Sequence, residues 1–164
     1  MPRRIATLAS CAGLVLLGAA SLAAKPATAK WPPWLSIESP VNPFDPATRG
    51  AVLLVHAATR EGPAAVSALS GSAEGIVGGA RRTLPLHFDA TPAPGVYAVR
   101  KQWPDGGTWL LRMSLQNTTA LVSLAGDGRV EGVRVPTQRA SGMDLPRAVS
   151  EKEIDSTLSA AARR

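Results

Sequence analysis

Between Trp109 and Leu115 every second residue is large and apolar. Trp109, Leu111, Met113 and Leu115 fall on one face of an extended chain, and Leu110, Arg112, Ser114 and Gln116 on the other. A period of two held over eight residues predicts a strand with one face in a core and is hard to reconcile with a helix. Residues 96–103 read as a preceding arm, and Pro104-Asp105-Gly106-Gly107 has the chemistry of a tight reversal, since glycine takes positive φ without steric cost. A hairpin over residues 95–116 is therefore predicted. Residues 50–58 (GAVLLVHAA) are continuously apolar and partly β-branched, as a central strand would be, while residues 66–74 are weaker, with small side chains throughout. In residues 82–89, Leu84, Leu86 and Phe88 alternate with Pro85, His87 and Asp89, and Pro85 marks an edge strand. Residues 119–124 and 129–135 form a second hairpin about Gly126-Asp127-Gly128. About seven strands separated by turn residues predict an all-β fold, an immunoglobulin-like antiparallel β-sandwich over residues 49–137.

The flanks differ. Residues 31–46 hold five prolines in sixteen positions, so residues 30–48 read as an extended segment, with a doubtful short strand at 35–38 that is left out of the strand count. Its tryptophans, Trp31 and Trp34, either cover an open end of the core or form a recognition surface. Residues 138–164 read as a linker and a short C-terminal helix. Ser150 with Glu153 fits a capping box, and Ile154, Leu158 and Ala161/Ala162 share one helical face. A helix of about 13 residues is marginal alone in water, so it docks on the sandwich, docks on a partner or frays.

Residues 1–29 have the three parts of a secretory signal: Arg3 and Arg4, an uncharged run from Ile5 to Ala24, and the small-x-small triplet Ala27-Thr28-Ala29. Cleavage before Lys30 is predicted; the alternative is an uncleaved anchor, since about 20 apolar residues span a bilayer. Leu8-Ala9-Ser10-Cys11 is similar to a lipoprotein box, but most of the apolar run follows Cys11, so lipidation is not expected. The expected location is periplasmic or secreted, with no membrane association after cleavage. The chain carries 18 basic and 12 acidic residues; Arg3, Arg4 and Lys25 leave with the signal, so much of the basic excess belongs to targeting. The remaining charges are interspersed, and nucleic acid is not an expected partner. Cys11, the one cysteine of the sequence, also leaves, which excludes disulfides and thiolate chemistry in the processed chain.

Catalytic chemistry finds few residues to use. The two histidines, His56 and His87, lie in an apolar run and on the polar face of an edge strand. Gly71-Ser72-Ala73-Glu74-Gly75 has its serine one place too early for a nucleophile elbow. Asp105 and Asp127 sit in turns, where aspartate is favoured for backbone reasons. His56 and His87 are weak candidate metal ligands, Met113 reads as core, and no cofactor is implied.

The stretch Gly95-Val96-Tyr97…Trp103-Pro104…Gly107-Thr108-Trp109-Leu110-Leu111 resembles the G-x-Y…G-x-W-x-hydrophobic core of YtkA-like and FixH-like bacterial domains. These are small exported immunoglobulin-like sandwiches related in shape to CopC-type copper-resistance proteins. The resemblance covers about 25–40 residues and implies a non-enzymatic accessory or binding domain, in some cases linked to metal handling. It carries no binding residues across, because the segment starting Lys30-Trp31 lacks a histidine and no His/Met cluster exists. The expectation is thus a non-enzymatic module that engages another envelope or secreted protein, with Trp31, Trp34, Ile154 and Leu158 as candidate partner-binding residues. The alternatives are a copper-delivery domain using His56 or His87 and an uncharacterised secreted enzyme.

Overall fold

A computed structural model describes residues 32–163. The signal expected over residues 1–29, with Cys11, and the candidate Trp31 lie outside the described residues. In chain order the elements are β1 (Trp34–Glu38), β2 (Ala51–Thr59), β3 (Gly62–Pro63), β4 (Leu69–Val77), β5 (Ala80–Pro85), β6 (Asp89–Ala90), β7 (Val96–Arg100), β8 (Thr108–Leu115), β9 (Thr118–Leu124), β10 (Val130–Arg134), β11 (Thr137–Ala140), β12 (Met143–Pro146) and α1 (Glu151–Ala161). Two antiparallel sheets carry the fold. The first has the order β1-β2-β7-β6, with β3 on β2, and the second has the order β10-β9-β8-β4-β5. The orders β1-β2-β7-β6 and β9-β8-β4-β5 follow the immunoglobulin arrangement, with β10 added beyond β9.

Alternation explains the core. Trp109, Leu111, Met113 and Leu115 of β8 and Ala120, Val122 and Leu124 of β9 face Leu53, Val55 and Ala57 of β2 and Tyr97 and Val99 of β7 in one cluster. Polar groups inside it are satisfied: the Tyr97 hydroxyl donates to the Ala64 carbonyl, and Thr118 Oγ1 donates to the Pro33 carbonyl at 2.9 Å, tying β9 to the entry of β1. The small residues of β4, which weaken it as a sequence signal, have a packing cause. A Cβ on Gly75 would stand 2.4 Å from the Trp109 ring, and one on Gly71 would stand 2.8 Å from Phe88. Residues 66–68 form a 3-10 turn, so β4 starts at Leu69.

The hairpin expected over residues 95–116 does not form. β7 pairs with β2 and β6, and β8 pairs with β4 and β9. The connection is an arch from one sheet to the other. Both arms bury a face in the same core, and packed sheets stand about 10 Å apart, too far for a tight turn. Gly106 and Gly107 do take positive φ, of 77° and 78°, and Trp103 tucks its ring into the core beneath the arch. The chain also changes sheets after β5. Leu86 and Phe88 keep their inward alternation while His87 lies beyond the strand that was expected to contain it. Strand structure extends past residues 49–137 at both ends, because β1 completes the first sheet and β11 pairs with β12.

α1 lies on the outer face of the second sheet. Ile154 and Leu158 are buried with Leu110 and Leu121, flanked by Ile76 and Val149. Full burial of two such side chains contributes about 1.5–3 kcal/mol each before the entropy of ordering the helix is subtracted. The capping box is complete: Ser150 Oγ accepts from the Glu153 amide, and Glu153 returns to the Ser150 amide. Arg147 donates to both Glu153 carboxylate oxygens, at 2.9 and 2.5 Å, and this pair, with the Ser150 amide and hydroxyl, holds the Glu153 carboxyl down to about 2.

Gly75→Ala must displace the Trp109 ring, and equilibrium urea unfolding should show a loss of about 1–3 kcal/mol. A carboxyl whose pKa is lowered by folding stabilises above its unfolded value of 4.5, and that contribution disappears as pH falls toward about 2. Glu153→Gln keeps the cap but loses the ion pair, so its thermal midpoint should lie below the parent's at pH 7. The two midpoints should converge as the medium is acidified through that window.

Candidate functional site

The two outer faces of the sandwich differ. α1 covers the second sheet, whereas no helix lies on the first sheet among the described residues. On β1 the alternation sends Leu35 and Ile37 inward and Trp34, Ser36 and Glu38 outward, and the register sets these opposite Ala58, His56 and Leu54 of β2. Trp34 and His56 are therefore diagonal neighbours on one face, a spacing of roughly 7–8 Å that long side chains bridge. Trp34 is 64% exposed and does not cap the core. His56 Nε2 sits 2.9 Å from Glu38 Oε2, both side chains half in solvent. Further across, Leu54 and Ala98 are already covered, and Arg100 pairs with Asp89 at the far edge. The accessible part of this face is thus a local patch of an indole beside a carboxylate–imidazole pair.

On its inner side β1 borders a cleft of about 760 Å³ that opens between the edges of the two sheets. Ile37, Val41 and Val52 line one wall and Val130 and Val133 the other, with Arg129 and Glu131 at the rim. Val133, in register with the core residue Val122, is 47% exposed because β10 extends beyond the strands of the first sheet. The strand edges carry features that resist uncontrolled pairing: β1 is five residues long between Pro33 and Pro40, β10 has a bulge at Glu131, and β5 bears Arg81, Arg82 and Pro85.

The other candidates fall elsewhere. His87 is exposed in the crossing after β5, where its backbone N–H donates to Gln102 Oε1 at 2.7 Å and its carbonyl accepts from Gln102 Nε2 at 2.9 Å. The two histidines are not brought into one ligand set, and among the described residues no three His, Cys, Asp or Glu side chains stand close enough to hold a metal ion. Ser72 donates its hydroxyl to Glu74 Oε1 at 2.7 Å, so the serine of the Gly71–Gly75 stretch has a structural partner. Ile154 and Leu158, expected at a partner surface, are instead 0% and 2% exposed. The apolar face of α1 is committed to the Leu110 and Leu121 stripe of its own chain and offers nothing while the helix is docked.

Glu74 is the residue that sequence reasoning missed. It occupies an outward position of β4, where solvent is the default, yet it is 3% exposed. Burial pushes its pKa up, but bonds from Thr83 Oγ1 at 2.6 Å, Ser72 and Arg81 outweigh this and hold the carboxyl below its ordinary value. Thr83 and Arg81 come from β5, which the register sets beside Glu74, and Arg81 in turn reaches Glu151 and Asp155 of α1. No protein-family model, curated protein or solved structure matches the chain.

Trp34 and Thr118 separate surface from framework. Trp34→Ala should change the unfolding free energy by less than about 0.5 kcal/mol. Thr118→Val leaves the buried Pro33 carbonyl without its donor and should cost about 1–3 kcal/mol in the same denaturant titration.

Proposed function

We propose that this protein is a non-enzymatic binding module that, after export and signal removal, engages another protein of the cell envelope or its surroundings through the β1 edge of the sandwich. The single observation that carries the reading is Trp34, an indole 64% exposed on a rigid strand. Large aromatic side chains bring much apolar area at low entropic cost and dominate binding energy where they are found in interfaces. Ser36 and the Glu38–His56 pair surround it with donors and acceptors that confer orientation, and the cleft bordered by Ile37 and Val133 supplies apolar depth next to it.

Support for a non-catalytic role comes from the same residues. Ser72 donates to Glu74 and His56 pairs with Glu38, so neither is part of a nucleophile–base pair. The sandwich supplies rigidity, which places a recognition surface without ordering cost at the moment of binding.

A photo-crosslinking amino acid at Ser36, in the full chain expressed in its own cells, should yield a discrete adduct with one protein. The adduct should be lost in Trp34→Ala and absent when the crosslinker replaces Lys152 on α1. No discrete adduct at Ser36, or one indifferent to Trp34, would sink the reading.

A further inference from the structure

We infer that α1 is a detachable strap, which leaves the outer face of the second sheet as a unit while the sandwich beneath it stays folded. Three observations combine. The apolar contact is small and separate: Ile154 and Leu158 cluster with Leu110 and Leu121, whereas the inward faces of β8 and β9 belong to the main core. The packing is one-sided, since clefts of about 340 and 350 Å³ remain between the helix and β10, lined by Ser123, Arg134 and Thr157. Charge supplies much of the specificity. Arg81, on β5, reaches Glu74, Glu151 and Asp155, and Arg112, on β8, reaches Glu151 at 2.5 Å.

Apart from the Glu74 carboxylate, these ion-paired groups are at least a third exposed or close to it, and dissolved ions screen such pairs. An eleven-residue helix is marginal without its docking face, so release and unwinding are one event. The hinge is short. Arg147 is pinned to the sandwich, its carbonyl accepting from the Thr119 amide at 3.2 Å and its amide donating to the Pro136 carbonyl at 3.0 Å, and α1 begins four residues later. Glu74 tolerates the loss of the strap, because Ser72, Thr83 and Arg81 all come from the sheet itself.

Release bares Ile76, Leu110 and Leu121 between Arg81 and Arg112. An apolar stripe with a cationic rim fits an acidic amphipathic helix, and α1, with Glu151 and Asp155 beside Ile154 and Leu158, is that ligand in cis.

Amide hydrogen exchange on the full chain tests this, with peptides over α1 compared with peptides over β8 and β9. Raising sodium chloride from about 0.05 to about 1 M should accelerate exchange in α1 on the order of tenfold and leave β8 and β9 unchanged. Arg81→Gln with Arg112→Gln, neither of which alters the helix, should reproduce the effect at low salt. If the double variant loses β8–β9 protection, Arg112→Gln alone serves. Exchange of α1 that is insensitive to salt and to the arginine variants, or that accelerates only together with β8 and β9, overturns the inference.

Discussion

The apolar layer shared by the two sheets is the constraint on which the rest of the molecule depends. Trp109, Leu111, Met113 and Leu115 must point one way from β8, and Leu53, Val55 and Ala57 must meet them from β2. Because side chains alternate strictly, a one-residue slip in either strand would turn its entire apolar set to solvent. The glycines of β4 are a consequence of the same layer, giving up their side chains so that Trp109 and Phe88 can lie flat against the backbone. With no thiol among residues 32–163, packing takes the role that a disulfide has in many immunoglobulin domains.

Alternation also creates two outer faces, and the chain treats them differently. On the second sheet the outward positions of β4, β8 and β9 include Ile76, Leu110 and Leu121, too apolar to stand in water as a group, and α1 covers them. On the first sheet the outward positions of β1 are Trp34, Ser36 and Glu38, a mixture that tolerates solvent and leaves the indole available. The helix brings charge as well as apolar surface, and its carboxylates share Arg81 with the buried Glu74. Closing one face with a helix while the β1 margin of the other stays exposed gives the sandwich a polarity that its strand order alone does not contain.

β1 has a special place in this arrangement. It grows out of a proline-rich stretch that discourages regular structure, yet it pairs over its whole length with β2 and sets both the Trp34 patch and one wall of the neighbouring cleft. Read by itself, the segment looks like extended chain with a doubtful strand, because prolines flank it and its partners lie about 20 residues away. The strand exists because β2 is central and offers an unpaired edge that β1 satisfies.

Local chemistry was enough to determine which residues face inward along β8, the capped helix at Ser150 and the glycine-bearing turns, because these depend on neighbours within a few positions. Three matters were settled only in three dimensions. The arms at β7 and β8 look like a hairpin in sequence, but their common demand for one core separates them into opposite sheets. Ile154 and Leu158 look like a free face, but Leu110 and Leu121, more than thirty positions upstream in sequence, claim them. Glu74 looks solvated, but Thr83 and Arg81 of β5 bond it, and Arg81 is held in turn by carboxylates of a helix from the far end of the chain. Periodicity records that a face is buried; what buries it is decided by segments distant in sequence, and only tertiary packing names them.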